Sequence, residues 1–107
     1  MLQKDLKRIA TEKIERESSL ERKFDIEVHL RGGMTLKLAT VFFSGLPDRL
    51  VILPGNRIGF AELKAKKGVA SRRQKAVHAL LLKRHVNLAV LRTMVQADAW
   101  LDELSGI

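Results

Sequence analysis

Arg49-Leu50-Val51-Ile52-Leu53, then Pro54-Gly55-Asn56-Arg57, then Ile58-Gly59-Phe60-Ala61-Glu62-Leu63-Lys64, is the stretch on which the fold turns. The first segment is β-branched and apolar, the second is made of turn formers, and the third is apolar again until its last residues. That pattern is a hairpin. Residues two apart in a strand share a face, so Glu62 and Lys64 project together while Leu63 points the other way, into a core. The turn lays the strand that follows Asp48 antiparallel to the strand that ends in Lys64. Asp48 and Glu62 then fall at the same edge of the sheet.

Outward from the hairpin, the pattern changes from strand to helix. The first eighteen residues are charge-rich, with Leu2, Leu6 and Ile9 spaced as on an amphipathic helix. A second helix starts after Ser18 or Ser19 as N-cap and is carried by Leu20, Phe24, Ile26, Val28 and Leu30 until Gly32-Gly33 stops it. Residues 34–38 read as a strand, followed by an irregular stretch through Pro47. After a basic loop at Lys66-Lys67-Gly68, Ser71 and Gln74 form the two ends of a capping box. The helix they open runs to about residue 85, with Val77, Leu80 and Leu81 as a buried stripe. Residues 86–91 read as a last strand, and 95–104 as a helix anchored by Trp100 and Leu101. The expected order is α-α-β-β-β-α-β-α, an α/β fold whose mixed sheet has helices on both faces.

Composition narrows the function classes. A chain of 107 residues, 46% hydrophobic and 30% charged, describes one globular domain with a modest core. No apolar stretch approaches the ~20 residues that span a bilayer, and the N-terminus has no signal-peptide core, so a cytoplasmic protein is expected. Without cysteine there is neither a disulfide framework nor a thiolate zinc site. His29, His78 and His85 are not paired at metal-ligand spacing, which argues against zinc or histidine-metal chemistry. The net charge of +8 points to a polyanionic partner, since Lys and Arg that neutralise phosphates release counterions.

Asp48, Glu62 and the backbone carbonyl of Leu63 offer oxygen ligands suited to Mg²⁺, which favours carboxylates and retained waters. Such a cation lowers the pKa of a bound water and offsets charge in phosphodiester hydrolysis. Lys64, a compact point charge, can hold the attacking water or contact the scissile phosphate.

Pro47-Asp48, a spacer and Glu62-x-Lys64 resemble the PD-(D/E)xK nuclease signature. The longer run Gly45-Leu46-Pro47-Asp48-Arg49-Leu50-Val51-Ile52-Leu53-Pro54-Gly55, then Phe60-Ala61-Glu62-Leu63-Lys64-Ala65, Gly68 and Gln74, is similar to the VRR-NUC family. The resemblance covers residues 20–90. It implies a restriction-endonuclease-like fold and Mg²⁺- or Mn²⁺-dependent cleavage of DNA. Small stand-alone members are similar to phage and bacterial structure-specific nucleases, some of them junction-resolving dimers, so branched DNA and a homodimer are expected. The Leu2-Leu6-Ile9 face is a candidate dimer seam. The family also carries a supporting glutamate on the helix before the first strand. Counting back from Gly32-Gly33, Glu21 matches best, with Glu17 one turn earlier and Glu27 close by. Two departures stand out: Ala39-Thr40-Val41-Phe42-Phe43-Ser44 is more apolar than the family's loop, and Asn56 stands where a second glycine is common.

Each residue also has a plainer reading. Asp48 after Pro47 suits a turn, Lys64 could snorkel from a strand end, and Gln74 could serve only the helix cap. Burial of Glu62 is expected from Ile58 and Phe60 on its face. Lys66, Lys67, Arg72 and Arg73 are candidate phosphate contacts as a cluster, with Lys37 and Arg49 flanking the site. Phe42, Phe43 and Trp100 are expected in the core. Rival functions are a non-catalytic DNA-binding module, and a basic surface that recruits an acidic protein over a structural ion-pair cluster. A sequence-specific restriction enzyme is disfavoured, because no extra segment remains for base readout.

Overall fold

Leu20, Phe24 and Val28 recur every four residues, which draws one stripe along a helix. The computed structural model describes residues 19–38 and 43–107, and its first described helix, α1, is Ser19–Leu30 with Phe24 and Val28 fully buried. The helix ends where Gly32 turns to a φ of +79°, a conformation cheap only for glycine, and Gly33 N–H reaches back to the Val28 carbonyl at 3.0 Å.

Four strands follow, with two more helices between and after them: β1 (Met34–Lys37), β2 (Arg49–Leu53), β3 (Arg57–Leu63), α2 (Arg72–Lys83), β4 (Leu88–Leu91) and α3 (Met94–Ser105). The sheet order is β1-β2-β3-β4, antiparallel through β3 and parallel between β3 and β4. This is the expected mixed sheet. Among the described residues the order is α-β-β-β-α-β-α, with three helices. The additional first helix of the expected α-α-β-β-β-α-β-α order, with its Leu2-Leu6-Ile9 face, lies outside the described residues. Between β2 and β3, Asn56 sits at φ 61°. Asn is the side chain that best tolerates this left-handed region, so it replaces a second glycine at little cost.

Strand alternation divides the molecule. Arg49, Val51 and Leu53 of β2 and Gly59, Ala61 and Leu63 of β3 face one way and are buried beneath α1 and α3. At Gly59 an added Cβ would lie 2.7 Å from Trp100 Cζ2, so the indole can approach the strand this closely only because that side chain is missing. Trp100 is anchored by its Nε1–H to Asn87 Oδ1 at 2.9 Å and stacks on Phe24 with ring centroids 6.5 Å apart.

The opposite face carries Leu50, Ile52, Ile58, Phe60 and Glu62, and α2 covers only its Glu62 end. Three expectations change as a result. Ile58 is 46% exposed, so it does not account for the burial of Glu62; α2 does. On α2 the buried pair is Val77 and His78 rather than a Val77-Leu80-Leu81 stripe, and Leu80 is 51% exposed. Phe43 is also half-exposed rather than in the core, and Phe42 lies outside the described residues.

Gly59→Ala is expected to lower unfolding free energy by about 1–3 kcal/mol through overpacking against Trp100. Urea denaturation followed by tryptophan fluorescence checks this, and an unchanged midpoint would contradict it.

Candidate active site

The register Arg49↔Ala61 places Asp48 opposite Glu62, one step past the end of the β2 ladder. There the Asp48 side chain substitutes for a strand residue: its Oδ2 accepts the Leu63 N–H at 2.9 Å. On the other side the Asp48 carbonyl accepts the Leu38 N–H at 2.8 Å, so its backbone is held as well. Lys64 N–H bonds the Leu91 carbonyl at 3.0 Å. Backbone groups alternate sides along a strand, so those of Leu63 face Asp48.

Glu62 is 1% exposed. Its Oε1 accepts from Gln74 Nε2 at 3.3 Å, and its Oε2 is buried with no partner. Burial first, and then the negative charge of Asp48, push the Glu62 carboxyl up to about 7, while Lys64 pulls the other way. Lys64 Nζ donates to Gln74 Oε1 at 3.0 Å, and the same oxygen accepts the Ser71 N–H at 3.0 Å. Ser71 Oγ completes the capping box by accepting the Gln74 N–H at 3.1 Å. The cap and the site therefore share one amide. The structure brings together Asp48, Glu62, Leu63, Lys64 and Gln74.

Glu21 is placed differently. It lies 3.8 Å from Arg49 Nη2, while Asp25, one turn further along α1, takes Arg49 Nε at 3.1 Å and Nη2 at 3.3 Å. Glu27 accepts from Arg31 at 3.2 Å, and Glu17 lies outside the described residues. Among the described residues no three His, Cys, Asp or Glu side chains gather to hold a metal, so neither Glu21 nor Glu27 stands as a third carboxylate beside Asp48 and Glu62. The residues present nonetheless fit Mg²⁺, which takes one or two carboxylates and keeps several waters. The orphaned Glu62 Oε2, buried toward a second carboxylate, is the observation that carries this fit.

The basic residues separate into two groups. Lys37, Lys66, Lys67, Arg72 and Arg73 are exposed, as a phosphate-contacting surface requires. Arg73 also sits 5.6 Å over the Phe43 ring and donates to the Ser44 carbonyl at 3.3 Å. Arg49 is 2% exposed and bound to Asp25, so its guanidinium is not available to DNA phosphate, contrary to the expectation from its position. Strand alternation already aligned it with Val51 and Leu53. Arg92 was missed: it donates to the Ala65 and Gly68 carbonyls and pins the loop that displays Lys66 and Lys67. His78, one helical turn beyond Gln74, is 7% exposed; burial, then the charge of Lys64, lower its pKa, and Asp48 acts in the opposite sense.

These shifts give pH-dependent stability of opposite sign. Folded Glu62 keeps a proton that an unfolded chain releases between 4.5 and about 7, so its contribution is full below that window and lost as pH rises through it. The contribution of His78 is full above 6.5 and lost as pH falls. Comparison with Glu62→Gln isolates the first. In EDTA, wild-type Tm is expected to fall relative to the variant between about pH 5 and about pH 8, and Mg²⁺ at the higher pH to raise wild-type Tm more than the variant's. Thermal melts with parallel curves at every pH would contradict the placement of Glu62.

No protein-family model matches the chain. Over 50 residues it is 44% identical to "Putative nuclease p44" of Acyrthosiphon pisum secondary endosymbiont phage 1. That match spans 47% of this chain and 54% of the relative, about half of the relative's length. A solved structure described as a VRR_NUC domain superposes with a TM-score of 0.72 and 29% identity, covering 78% of this chain and 91% of its own. The chain thus has the architecture of a VRR_NUC domain and is similar in sequence, over about half of its length, to the phage protein "Putative nuclease p44".

Proposed function

We propose that the chain is a Mg²⁺- or Mn²⁺-dependent DNA endonuclease that cuts branched DNA as a homodimer. One observation carries the reading. A carboxyl held near neutrality, with one buried oxygen unpaired, lies between Asp48 and a lysine whose ammonium is already oriented. A hydrolytic site poised for a cation needs those features, and a structural ion-pair cluster does not.

Asp48, Glu62 and the Leu63 carbonyl would hold the cation, Asp48 with its Oδ2 already fixed by the Leu63 N–H. The chemistry supplied by the cation when bound is charge neutralisation at the scissile phosphate and acidification of a water. Lys64 donates to the phosphate or the attacking water, and Gln74 restricts where that ammonium can point. Lys37, Lys66, Lys67, Arg72 and Arg73 track the backbone of the DNA, in keeping with a net charge of +8. The likeness to small stand-alone VRR-NUC nucleases supports a branched substrate. A chain of 107 residues has little surface with which to enclose a junction, and two copies would present one site to each of two strands.

Linear, flap, fork and four-way DNA incubated with Mg²⁺ or Mn²⁺ test the proposal. Wild type should cut a branched substrate, and Asp48→Ala and Lys64→Ala should each lose about a hundredfold or more in rate. Variants that cut as well as wild type would show that the site is elsewhere. DNA binding without cleavage in either metal would favour a non-catalytic binding module.

A further inference from the structure

Arg92 lies between β4 and α3, and the chemistry above gives it no part. Its backbone is held from behind. The Arg92 N–H donates to Gln96 Oε1 at 2.8 Å, and the Gln96 N–H in turn reaches Thr93 Oγ1 at 3.2 Å, in the cap that starts α3. Just before it, the Leu91 carbonyl takes the Lys64 N–H at the end of the β3–β4 ladder. From that fixed base the guanidinium reaches forward: Nη1 donates to the Ala65 carbonyl at 2.9 Å and to the Gly68 carbonyl. Ala65 also accepts the Gly68 N–H at 2.9 Å, which closes a turn. Lys66 and Lys67 are the exposed pair at its tip. They are neighbours of like charge, with Arg72 and Arg73 close along the chain, and mutual repulsion favours opening such a loop. The two carbonyls belong to no strand or helix, and one nitrogen of Arg92 satisfies both.

We propose that Arg92 is a positioning residue for DNA: it holds the turn at 65–68 shut, so that Lys66 and Lys67 meet backbone phosphates with their loop already ordered. Phosphate contacts made from a free loop lose part of their worth to ordering it, and contacts made from a fixed turn do not. Arg92 thereby sets affinity rather than turnover. Lys64 and Gln74, which flank the loop, are bonded to each other, and the Lys64 backbone is bonded to Leu91, with no help from the guanidinium. The inference rests on the nuclease reading for its ligand, and the grip of Arg92 on the loop can be tested without DNA.

Arg92→Ala should speed amide hydrogen exchange at Gly68 and lower the ¹H–¹⁵N NOE of Lys66 and Lys67, with the strands and α2 still protected. In wild type the Nη protons of Arg92 should be resolved, because two carbonyls slow their rotation. Averaged Nη signals would overturn the contact even if Arg92→Ala does not fold. Binding of fluorescein-labelled four-way DNA in Ca²⁺, read by anisotropy, should weaken about tenfold in Arg92→Ala and at least as much in Lys66→Ala/Lys67→Ala. Adding Arg92→Ala to that pair should cost less than about threefold more, and Arg92→Lys, which keeps donors for the carbonyls, should recover part of the loss. On a DNA that wild type cuts, Arg92→Ala should raise KM about tenfold with kcat changed less than about threefold. Losses that add in the triple variant would overturn the positioning role and make Arg92 a phosphate contact in its own right. Wild-type affinity in Arg92→Ala with the loop freed, or a fall in kcat at unchanged KM, would overturn it as well. Absence of binding by wild type at low salt would overturn the nuclease reading and the role in DNA with it, while the spectra would still decide on the contact.

Discussion

The carboxyl of Glu62 is buried on the sheet face that has the least apolar cover, and the surrounding structure is arranged around that cost. An isolated carboxylate there would be expensive, so it either keeps its proton or finds positive charge. The structure supplies partial answers to both: a carboxyl raised to about 7, an amide donor at 3.3 Å and a lysine on the same strand face. The unanswered part is Oε2. A divalent cation would satisfy it, and with it the like charge of Asp48, in one step.

The two faces of the sheet divide the work of the molecule. On one, Phe24, Val28, Val51, Leu101 and Trp100 form a continuous apolar core that holds α1 and α3 against the strands. Rooted in that face is a part-buried ion pair, the enclosed Arg49 with the more exposed Asp25, joined by Glu21 at longer range. Burying a charge seldom adds net stability, but losing Asp25 would strand the enclosed Arg49, so the pair fixes register more than it stabilises. Here the register fixed is that of α1 against the start of β2, the residue next to Asp48. The opposite face is less fully covered, and α2 meets it with Val77 buried and with the polar contacts of Gln74 at the site.

Much of this was legible in the sequence because the signals were local. The hairpin was readable from two apolar runs around a Pro-Gly-Asn turn, and β2 occupies the residues that pattern marks. Pairing of Asp48 with Glu62 followed from antiparallel geometry, and the cap role of Gln74 from its spacing to Ser71, while its place in the site came from the family resemblance. What escaped was set by tertiary placement. Helical periodicity identifies candidate faces on α2 but not which one the sheet will take, and the face taken buries Val77 and His78, leaves Leu80 exposed and turns Gln74 to Glu62 and Lys64. Glu21 was chosen by counting from Gly32-Gly33, whereas the distance between α1 and β2 selected Asp25 for Arg49. For Arg92, nothing nearby in sequence marks a residue that reaches across to the carbonyls of a distant loop.

Gln74 shows why the plain and the functional reading of one residue need not compete. A capping box accepts either glutamate or glutamine at its third position, because all it requires there is an acceptor for the cap N–H. The site is stricter. The side chain must accept from Lys64 and Ser71 through one atom and donate to Glu62 through another, and of glutamine and ionised glutamate only the amide carries both functions. Glutamate would keep the cap but add a third carboxylate beside Glu62 and Asp48, pushing the Glu62 carboxyl still higher and removing its donor. The helix start and the orientation of Lys64 thereby share one atom, Gln74 Oε1. A chain that folds α2 correctly has already positioned its lysine, so local folding and preparation of the site are one event rather than two.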